Sequence, residues 1–297
     1  MPQRLGLVTM SDQYRMLLIH AHPDDETITC GATMARAAAQ GTQVVLLTCT
    51  LGEEGEVLLP DLVHLAADRA DTLGAHRLGE LADAMDALGV SDFRILGGPG
   101  KFRDSGMMGR SANDRPDSFW RADLLDATVH AVQVIRDVRP HVLVTYDEFG
   151  GYGHPDHIQA HRVAMYGLLL AESATFRAEL GEPWSVPKVY WAAFPKSVVR
   201  AGIEQMREID PESDFAQMNP DDLPFAIDDE LITTRVETDG FAEQKVAAMH
   251  AHATQIDMSS GFFALQHEMV GHEYFRCVRG TPVRADGHLE SDLFAGL

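Results

Sequence analysis

One short segment of the chain, residues 22–26 (HPDDE), brings a histidine and three carboxylates together. It directly follows residues 16–21 (MLLIHA), a largely apolar run that is typical of a buried parallel strand. Charged groups at the end of a buried strand are costly to desolvate unless they are paired or bind a metal ion. The segment therefore indicates a metal site, although an acidic loop in solvent would have the same composition.

A second segment, residues 154–157 (HPDH), carries two histidines three residues apart. Pro155 fits the first turn of a helix, and on that helix His154 and His157 would project from nearly the same face. The glycines of residues 150–153 (GGYG) allow the backbone to approach a ligand closely. Without a metal, these histidines would cap helices, and the carboxylates of the first segment would pair with nearby arginines.

Two histidines and one carboxylate form a common catalytic zinc set, which leaves one coordination position for water. Zinc is borderline in hardness and accepts mixed nitrogen and oxygen ligands, while iron(II) uses a similar triad. The two segments together therefore predict a metal centre that activates water, with Zn2+ as the expected ion and Fe2+ as the alternative.

An alternation of strands and helices is expected to position both segments. Strands are predicted at 16–21, 43–50, 92–96 and 141–146, and helices at 31–40, 61–88 with a break near Gly74 or Gly79, 118–138 and 157–172. This order implies an α/β, Rossmann-like, mostly parallel sheet with helices on both faces. Ligands bind such sheets beyond the carboxyl ends of the strands. Both histidine segments follow predicted strands, so we expect them to meet there.

The pattern is less regular after about residue 181. Strands are predicted at 188–194 and 231–237, and a helix at 240–253. No flexible linker, internal repeat or low-complexity tract divides the chain. We therefore predict a single domain over residues 1–297 with a less regular C-terminal portion.

Composition narrows the classes of partner. The chain has 24 basic and 45 acidic side chains, and its formal charge is -21. Such a surface repels phosphate backbones and anionic lipid headgroups, so neither nucleic acid nor a membrane is an expected partner.

The N-terminus does not resemble a signal peptide, and a cytoplasmic location is the expectation. Three cysteines without CxxC spacing argue against a disulfide framework, and no oligomeric state is predicted.

The segments AHPDDE (21–26) and HPDH (154–157) resemble the hallmark motifs of the LmbE-like/PIG-L family of zinc-dependent N-acetylglucosamine deacetylases. Other segments resemble the mycothiol-pathway branch of this family: TCTLGEEGEV (48–57), RDSGM (103–107), GGYGHPDH (150–157), HATQ (252–255) and DLFAGL (292–297). The likeness covers nearly the whole chain and is weakest from 171 to 226. It implies hydrolysis of the acetamide of N-acetylglucosaminyl-inositol, which releases acetate and glucosaminyl-inositol for mycothiol biosynthesis.

Carried over by motif position, the resemblance implies that His22, Asp25 and His157 are the metal ligands. Asp24, beside the metal but not bound to it, would be the general base that accepts the proton of the attacking water. Zinc in such a site lowers the pKa of its bound water to about 7 and polarises the amide carbonyl.

The resemblance assigns further roles around this centre. His154 would be a second acid/base or a group that stabilises the transition state, and Tyr152 would help to bind the developing oxyanion. Asp156 would orient the imidazole of His154 from outside the reacting groups. The simpler alternatives are that His154 is a helix N-terminal residue bonded to Asp156, and that Tyr152 is a packed aromatic.

Two residues are implied to hold sugar hydroxyls: Arg77 in a helical region and Asp104 in the DSG segment. A salt bridge between Arg77 and Glu80 would be an equally simple interpretation, and Asp104 could begin a turn. His250 and His252 are interpreted as ordinary surface or core histidines rather than a second metal site.

Three rival functions are kept open. The expected partner is a small-molecule sugar substrate. A mycothiol S-conjugate amidase would share the metal, the base and the glucosaminyl-inositol unit but accept a larger acyl group. A non-catalytic sugar- or nucleotide-binding module belongs to a different class, and the missing GxGxxG after the first strand weakens its dinucleotide form. A phosphatase is a weaker possibility, because no P-loop is present.

Overall fold

The computed structural model describes residues 13–259, 263, 271–284 and 287–297. Within this part of the chain, eight strands form one sheet. They are β1 (Arg15–His20), β2 (Gln43–Thr48), β3 (Asp92–Ile95), β4 (Val142–Thr145), β5 (Lys188–Pro195), β6 (Ala226–Ile227), β7 (Thr234–Glu237) and β8 (His272–Arg279).

The strand order is β3-β2-β1-β4-β5-β8-β7, and the short β6 pairs with β5 off this path. The neighbours from β3 through β5 are parallel, with Leu18 opposite both Leu46 of β2 and Val144 of β4. Of the described strands, β8 alone runs in the opposite direction to the others, and it pairs antiparallel with β5 and β7. The predicted mostly parallel sheet is therefore confirmed.

Helices cover both faces of the sheet. They are α1 (Asp25–Ala39), α2 (Leu73–Leu88), α3 (Leu124–Val138), α4 (Gly150–Gly153), α5 (Pro155–Ala171), α6 (Lys196–Ile209), α7 (Asp214–Gln217) and α8 (Ala242–Ala251). Leu17 and Ile19 of β1 pack in the apolar cluster with α3 and α5, whereas Met16 and Leu18 pack in the cluster with α1, α2 and α8. Burial on both faces explains why residues 16–19 of this strand are all apolar.

Several predicted boundaries are wrong. In the region 61–88, the α-helix begins only at Leu73 and continues past Gly74 and Gly79 without a break. The helix predicted from 118 begins at Leu124, because the side chain of Asp123 accepts the N–H of Asp126 at 2.9 Å and caps it there. The helix α1 begins at Asp25, earlier than predicted, so the acidic segment itself forms its first turn.

The C-terminal portion belongs to the same sheet. The buried carboxylate of Glu290 accepts hydrogen bonds from Lys188, from the Tyr190 hydroxyl at 2.7 Å and from the Thr234 hydroxyl at 2.8 Å. These contacts join the end of the chain to β5 and β7. Among the described residues, no helix has the length and apolar character that crossing a bilayer requires.

Candidate active site

The sheet reverses its strand order between β1 and β4. These two strands are neighbours, but the chain leaves β1 toward β2 on one side and β4 toward β5 on the other. Ligands bind at such switch points in open α/β sheets. A cavity of about 980 Å3 opens here. It is lined by every predicted site residue except Asp156: His22, Asp24, Asp25, Arg77, Asp104, Tyr152, His154 and His157.

Three side chains from the two histidine segments converge at the base of this cavity. His22 Nδ1 lies 3.3 Å from His157 Nε2 and 3.4 Å from Asp25 Oδ2, and His157 Nε2 lies 3.3 Å from Asp25 Oδ1. Ligand atoms in a tetrahedral site with bonds of about 2.0–2.2 Å are separated by about 3.3–3.6 Å. The spacing of these three groups therefore fits a metal ion.

The outer nitrogens of the two imidazoles have their own acceptors. His22 Nε2 lies 3.2 Å from Asp156 Oδ2, and His157 Nδ1 lies 3.2 Å from the carbonyl oxygen of Gly150. In the neutral form of each imidazole, these acceptors favour a ring proton on His22 Nε2 and on His157 Nδ1. The lone pairs of His22 Nδ1 and His157 Nε2 then face one another and Asp25. Gly150 is required for this approach, because a Cβ there would lie 2.6 Å from His157 Cβ.

The electrostatics of the site also favour a cation. Burial opposes a charge on His22, but the carboxylates of Asp104, Asp156 and Asp25 outweigh it and raise the pKa of His22 well above its usual range. Burial lowers the pKa of His157 to about 4, so this imidazole stays neutral at pH 7. The carboxylates around His22 therefore favour a positive charge at this point of the site, which either a proton or a bound metal ion can supply.

A three-histidine set is an alternative to the predicted ligands. Ligand atoms of His22, His154 and His157 lie within 4.8 Å of one another. However, His154 Nδ1 accepts the backbone N–H of Asp156 at 3.1 Å and caps α5. The helix-cap interpretation of His154 is thus confirmed, and Asp25 is the better placed third ligand.

Asp24 lies beside this triangle in a strained conformation. Its φ of 131° and ψ of -34° are unusual for a residue with a side chain and cost about 1–3 kcal/mol. Its backbone N–H donates to Glu26 Oε2 at 3.1 Å, and its Oδ2 accepts Arg77 Nη2 at 3.0 Å. Burial raises the pKa of Asp24 to about 6, although Arg77 opposes the rise.

Arg77 is buried, and its guanidinium donates to backbone carbonyls and to Asp24 rather than to Glu80. Its Nη1 donates to the carbonyl of Gly52 at 2.8 Å, and its Nη2 donates to the carbonyl of Pro23 as well as to Asp24. A Cβ at position 52 would lie only 1.9 Å from Arg77 Nη1, so this loop needs glycine. The alternative of an Arg77–Glu80 salt bridge is wrong, because Glu80 accepts hydrogen bonds from Thr254.

Asp104 is buried at the cavity wall. Its Oδ1 accepts the N–H of Gly106 at 2.8 Å, which confirms the predicted turn, and its Oδ2 accepts the N–H of Glu54 at 3.0 Å. Asp104 Oδ1 also lies 3.5 Å from His22 Nε2. Sugar binding by Arg77 and Asp104 stays a prediction.

Asp156 acts on a different histidine from the one predicted. Its carboxylate contacts His22 and accepts hydrogen bonds from the Ser105 N–H, at 2.8 Å, and hydroxyl. It reaches His154 only through its backbone N–H. The prediction that the Asp156 carboxylate orients His154 is therefore wrong, because the first turn of α5 directs this side chain back toward β1.

We predict that Asp156→Asn weakens metal binding by about 10–100-fold, because a neutral amide supports the His22 imidazole less well than a carboxylate. A competition titration against a chelating dye measures this change. Asp114→Asn, at an exposed position, is the matched control. An unchanged affinity in Asp156→Asn would show that this contact does not support the ligand.

Tyr146 is a site residue that sequence reasoning missed. Its hydroxyl accepts the Ala21 N–H at 2.8 Å and is hydrogen-bonded to Asp25, and its ring stacks on His157 with centroids 4.4 Å apart. Burial raises its pKa, so the hydroxyl stays protonated and can donate to the ligand carboxylate. Its position at the carboxyl end of a predicted strand was the available signal.

The fold and the site together define an α/β protein with a cavity at the switch point of its sheet, lined by histidines and carboxylates that could hold a metal ion. The family model of GlcNAc-PI de-N-acetylase (PIG-L) matches residues 17–166. The chain belongs to this family. The match includes all three candidate ligands and ends before β5.

Relatives match nearly the whole chain. The 1D-myo-inositol 2-acetamido-2-deoxy-alpha-D-glucopyranoside deacetylase of Geodermatophilus obscurus is 59% identical over 293 residues, which are 97% of this chain and 99% of that protein. The protein named deacetylase 1 for the same compound in Catenulispora acidiphila is 56% identical over 288 residues, 95% of this chain and 89% of that protein.

A solved structure has the same fold. The N,N'-diacetylchitobiose deacetylase from Pyrococcus horikoshii superposes with a TM-score of 0.61 over 91% of this chain and 85% of that chain. The two sequences are 17% identical, so this likeness supports the fold alone.

Proposed function

We propose that this protein hydrolyses the acetamide of 1D-myo-inositol 2-acetamido-2-deoxy-alpha-D-glucopyranoside, releasing acetate and glucosaminyl-inositol for mycothiol biosynthesis. The observation that carries the proposal is the convergence of His22, Asp25 and His157 at 3.3–3.4 Å in one cavity. Relatives at 59% and 56% identity that bear this compound in their names support the choice of substrate.

The proposed ligands are His22, Asp25 and His157, and the proposed ion is Zn2+, with Fe2+ as the alternative. When bound, the ion supplies a Lewis acid that lowers the pKa of water and polarises the amide carbonyl. Tyr146 and Asp156 hold the ligand side chains in place through the hydrogen bonds described above.

Asp24 is the proposed general base. Arg77 holds one oxygen of its carboxylate, Oδ2, and the other oxygen is left to accept a proton from the attacking water. A carboxylate with a pKa of about 6 is ionised at neutral pH, yet it is a stronger base than an ordinary aspartate. The same group then returns this proton to the departing amine nitrogen as the C–N bond breaks. The second proton of the water passes from the new carboxyl group to the amine, so the products are acetate and the ammonium form of glucosaminyl-inositol.

His154 and Tyr152 are the proposed donors to the developing oxyanion. Because His154 Nδ1 accepts a backbone N–H, its ring proton resides on Nε2. Burial and the nearby charge of His22 lower the pKa of His154 to about 3, which favours a neutral hydrogen-bond donor over an acid. Tyr152 lies at the cavity mouth, with its ring 4.9 Å from that of His157.

Asp104 and Arg77 differ in what they can offer a sugar. The oxygens of Asp104 each accept one backbone N–H and can accept a sugar hydroxyl as well. Arg77 donates to three protein oxygens, so its main proposed contribution is to hold Asp24.

We predict that Tyr152→Phe lowers kcat by about 100-fold with little change in KM, because one donor to the oxyanion is lost. Steady-state kinetics with the acetamide substrate measure the effect. Tyr166→Phe, an exposed position on α5, is the control and should behave as the wild type. A change confined to KM would assign Tyr152 to substrate binding.

The S-conjugate amidase is kept as a second candidate because part of the cavity wall is apolar. Trp191, Phe194, Phe215 and Phe225 are among the residues that line the cavity. Such a wall suits a larger, less polar acyl group.

The deciding experiment measures metal content and acetate release in the same purified sample, and compares N-acetylglucosaminyl-inositol with a bimane conjugate of mycothiol. Faster turnover of the acetamide, with about one metal ion per chain, supports the proposal. Faster turnover of the conjugate would assign the amidase function. Tight sugar binding without acetate release, with either Zn2+ or Fe2+ present, would assign a binding protein.

A cytoplasmic location, a sugar as the partner and a single domain over residues 1–297 stay predictions. The sugar is supported by the names of the relatives. The single domain is supported by the shared sheet and by the contacts of Glu290 with β5 and β7.

A further inference from the structure

The strained backbone of Asp24 requires a restraint. A residue with a side chain at a φ of 131° returns to an ordinary conformation unless its surroundings hold it. Arg77 holds the carboxylate of Asp24, but the backbone N–H is held separately, by Glu26 Oε2 at 3.1 Å. The position of the Glu26 carboxylate therefore bears directly on the conformation of the proposed base.

Glu26 is itself fixed by two further hydrogen bonds. It is completely buried, and its Oε1 accepts the Thr27 hydroxyl at 2.7 Å and lies 3.2 Å from His252 Nε2. A buried carboxylate is costly without partners, so removing one of them displaces it or draws water in. His252 is the partner that comes from a distant part of the chain.

His252 is completely buried at the end of α8, which packs on α1 and α2. Its Nδ1 has no hydrogen-bond partner in the part of the chain that the structure describes. The hydrogen bond to Glu26 is therefore the side-chain contact that fixes the position of this imidazole. His252 also lies outside residues 17–166, the part that the family model matches.

We infer that His252 and Glu26 are positioning residues that hold Asp24 in its strained conformation with its carboxylate at the cavity. This inference rests on the proposed function, because it takes Asp24 to be the general base. Loss of the His252 N–H frees the Glu26 carboxylate, which frees the N–H of Asp24 and lets its backbone relax. The ligand triangle does not include either residue, so metal binding is preserved.

The kinetic test compares three variants. His252→Leu removes the donor, His252→Gln keeps an N–H at a similar reach, and Thr254→Val is the control, because it alters a buried hydrogen bond of the same segment to Glu80 on α2. We expect His252→Leu to lower kcat by about 30–100-fold, as for a small displacement of a reacting group. KM and metal content should stay within twofold, His252→Gln should recover most of the loss, and Thr254→Val should match the wild type.

A double-mutant cycle separates positioning from a general loss of structure. In the Asp24→Asn background, His252→Leu should lower the residual kcat by less than twofold, because the group on which it acts is already absent. A full additional loss in that background would overturn the inference. If His252→Leu does not fold, His252→Asn replaces it, since its amide is too short to reach Glu26.

A second double-mutant cycle measures the Tm of metal-free protein and does not depend on enzymatic activity. Asp24→Gly should have a higher Tm than Asp24→Ala in the otherwise unchanged chain, and this difference should largely disappear once His252→Leu has let the backbone relax. An equal difference in both backgrounds would overturn the inference. Absence of acetate release by the unmodified protein would instead reject the proposed function, while this cycle would still test the restraint on Asp24.

Discussion

Replacing Asp24 with alanine is expected to lower turnover about a thousandfold while the protein keeps one metal ion per chain. A positioned general base contributes about 10²–10⁴ in rate, and the Asp24 carboxylate has Arg77 rather than a ligand histidine as its hydrogen-bond partner. Steady-state kinetics together with elemental analysis of the dialysed protein measure both quantities. Asp25→Ala is the matched control, because it removes a carboxylate at the adjacent position of the same segment.

The same position carries a stability prediction that follows from its backbone. Glycine normally destabilises a folded chain relative to alanine, but at a φ of 131° only glycine is unstrained. Asp24→Gly should therefore be more stable than Asp24→Ala by about 1 kcal/mol in chemical unfolding.

If Asp24→Ala loses the metal and Asp25→Ala keeps it, the roles of the two aspartates are reversed.

His22→Ala, Asp25→Ala and His157→Ala are each expected to abolish stoichiometric metal binding and, with it, detectable acetate release. Each variant removes one of three side chains that meet at 3.3–3.4 Å, where Asp25 faces His22 through Oδ2 and His157 through Oδ1. Two remaining ligands hold a divalent ion poorly. Metal analysis after dialysis measures the loss. Chelation of the unmodified protein should likewise lower its Tm, and added Zn2+ or Fe2+ should restore it.

His154→Ala is the control that separates the two possible ligand sets. Because His154 Nδ1 caps α5, this variant should keep its metal ion and lose turnover. Retention of metal by Asp25→Ala combined with its loss from His154→Ala would show that the ion is held by the three histidines instead.

Local sequence patterns determined the central features of this protein. Residues 16–19 are all apolar because β1 is buried on both faces, and parallel strands place the segments that follow them at one edge of the sheet. His22 and His157 are 135 residues apart, yet the strand and helix pattern alone predicted that they meet. The types of residues and their order along the chain were sufficient to predict this meeting, because each segment is short and rigidly attached to its strand.

Only the tertiary structure decided which groups support that centre. The contact of Asp156 with His22, that of Tyr146 with Asp25 and that of His252 with Glu26 join side chains more than 100 residues apart. No local periodicity encodes such pairs, since they depend on how α5, β4 and α8 pack against β1 and α1. The antiparallel placement of β8 between β5 and β7 has the same origin, because strand pairing is a property of the whole sheet rather than of one segment.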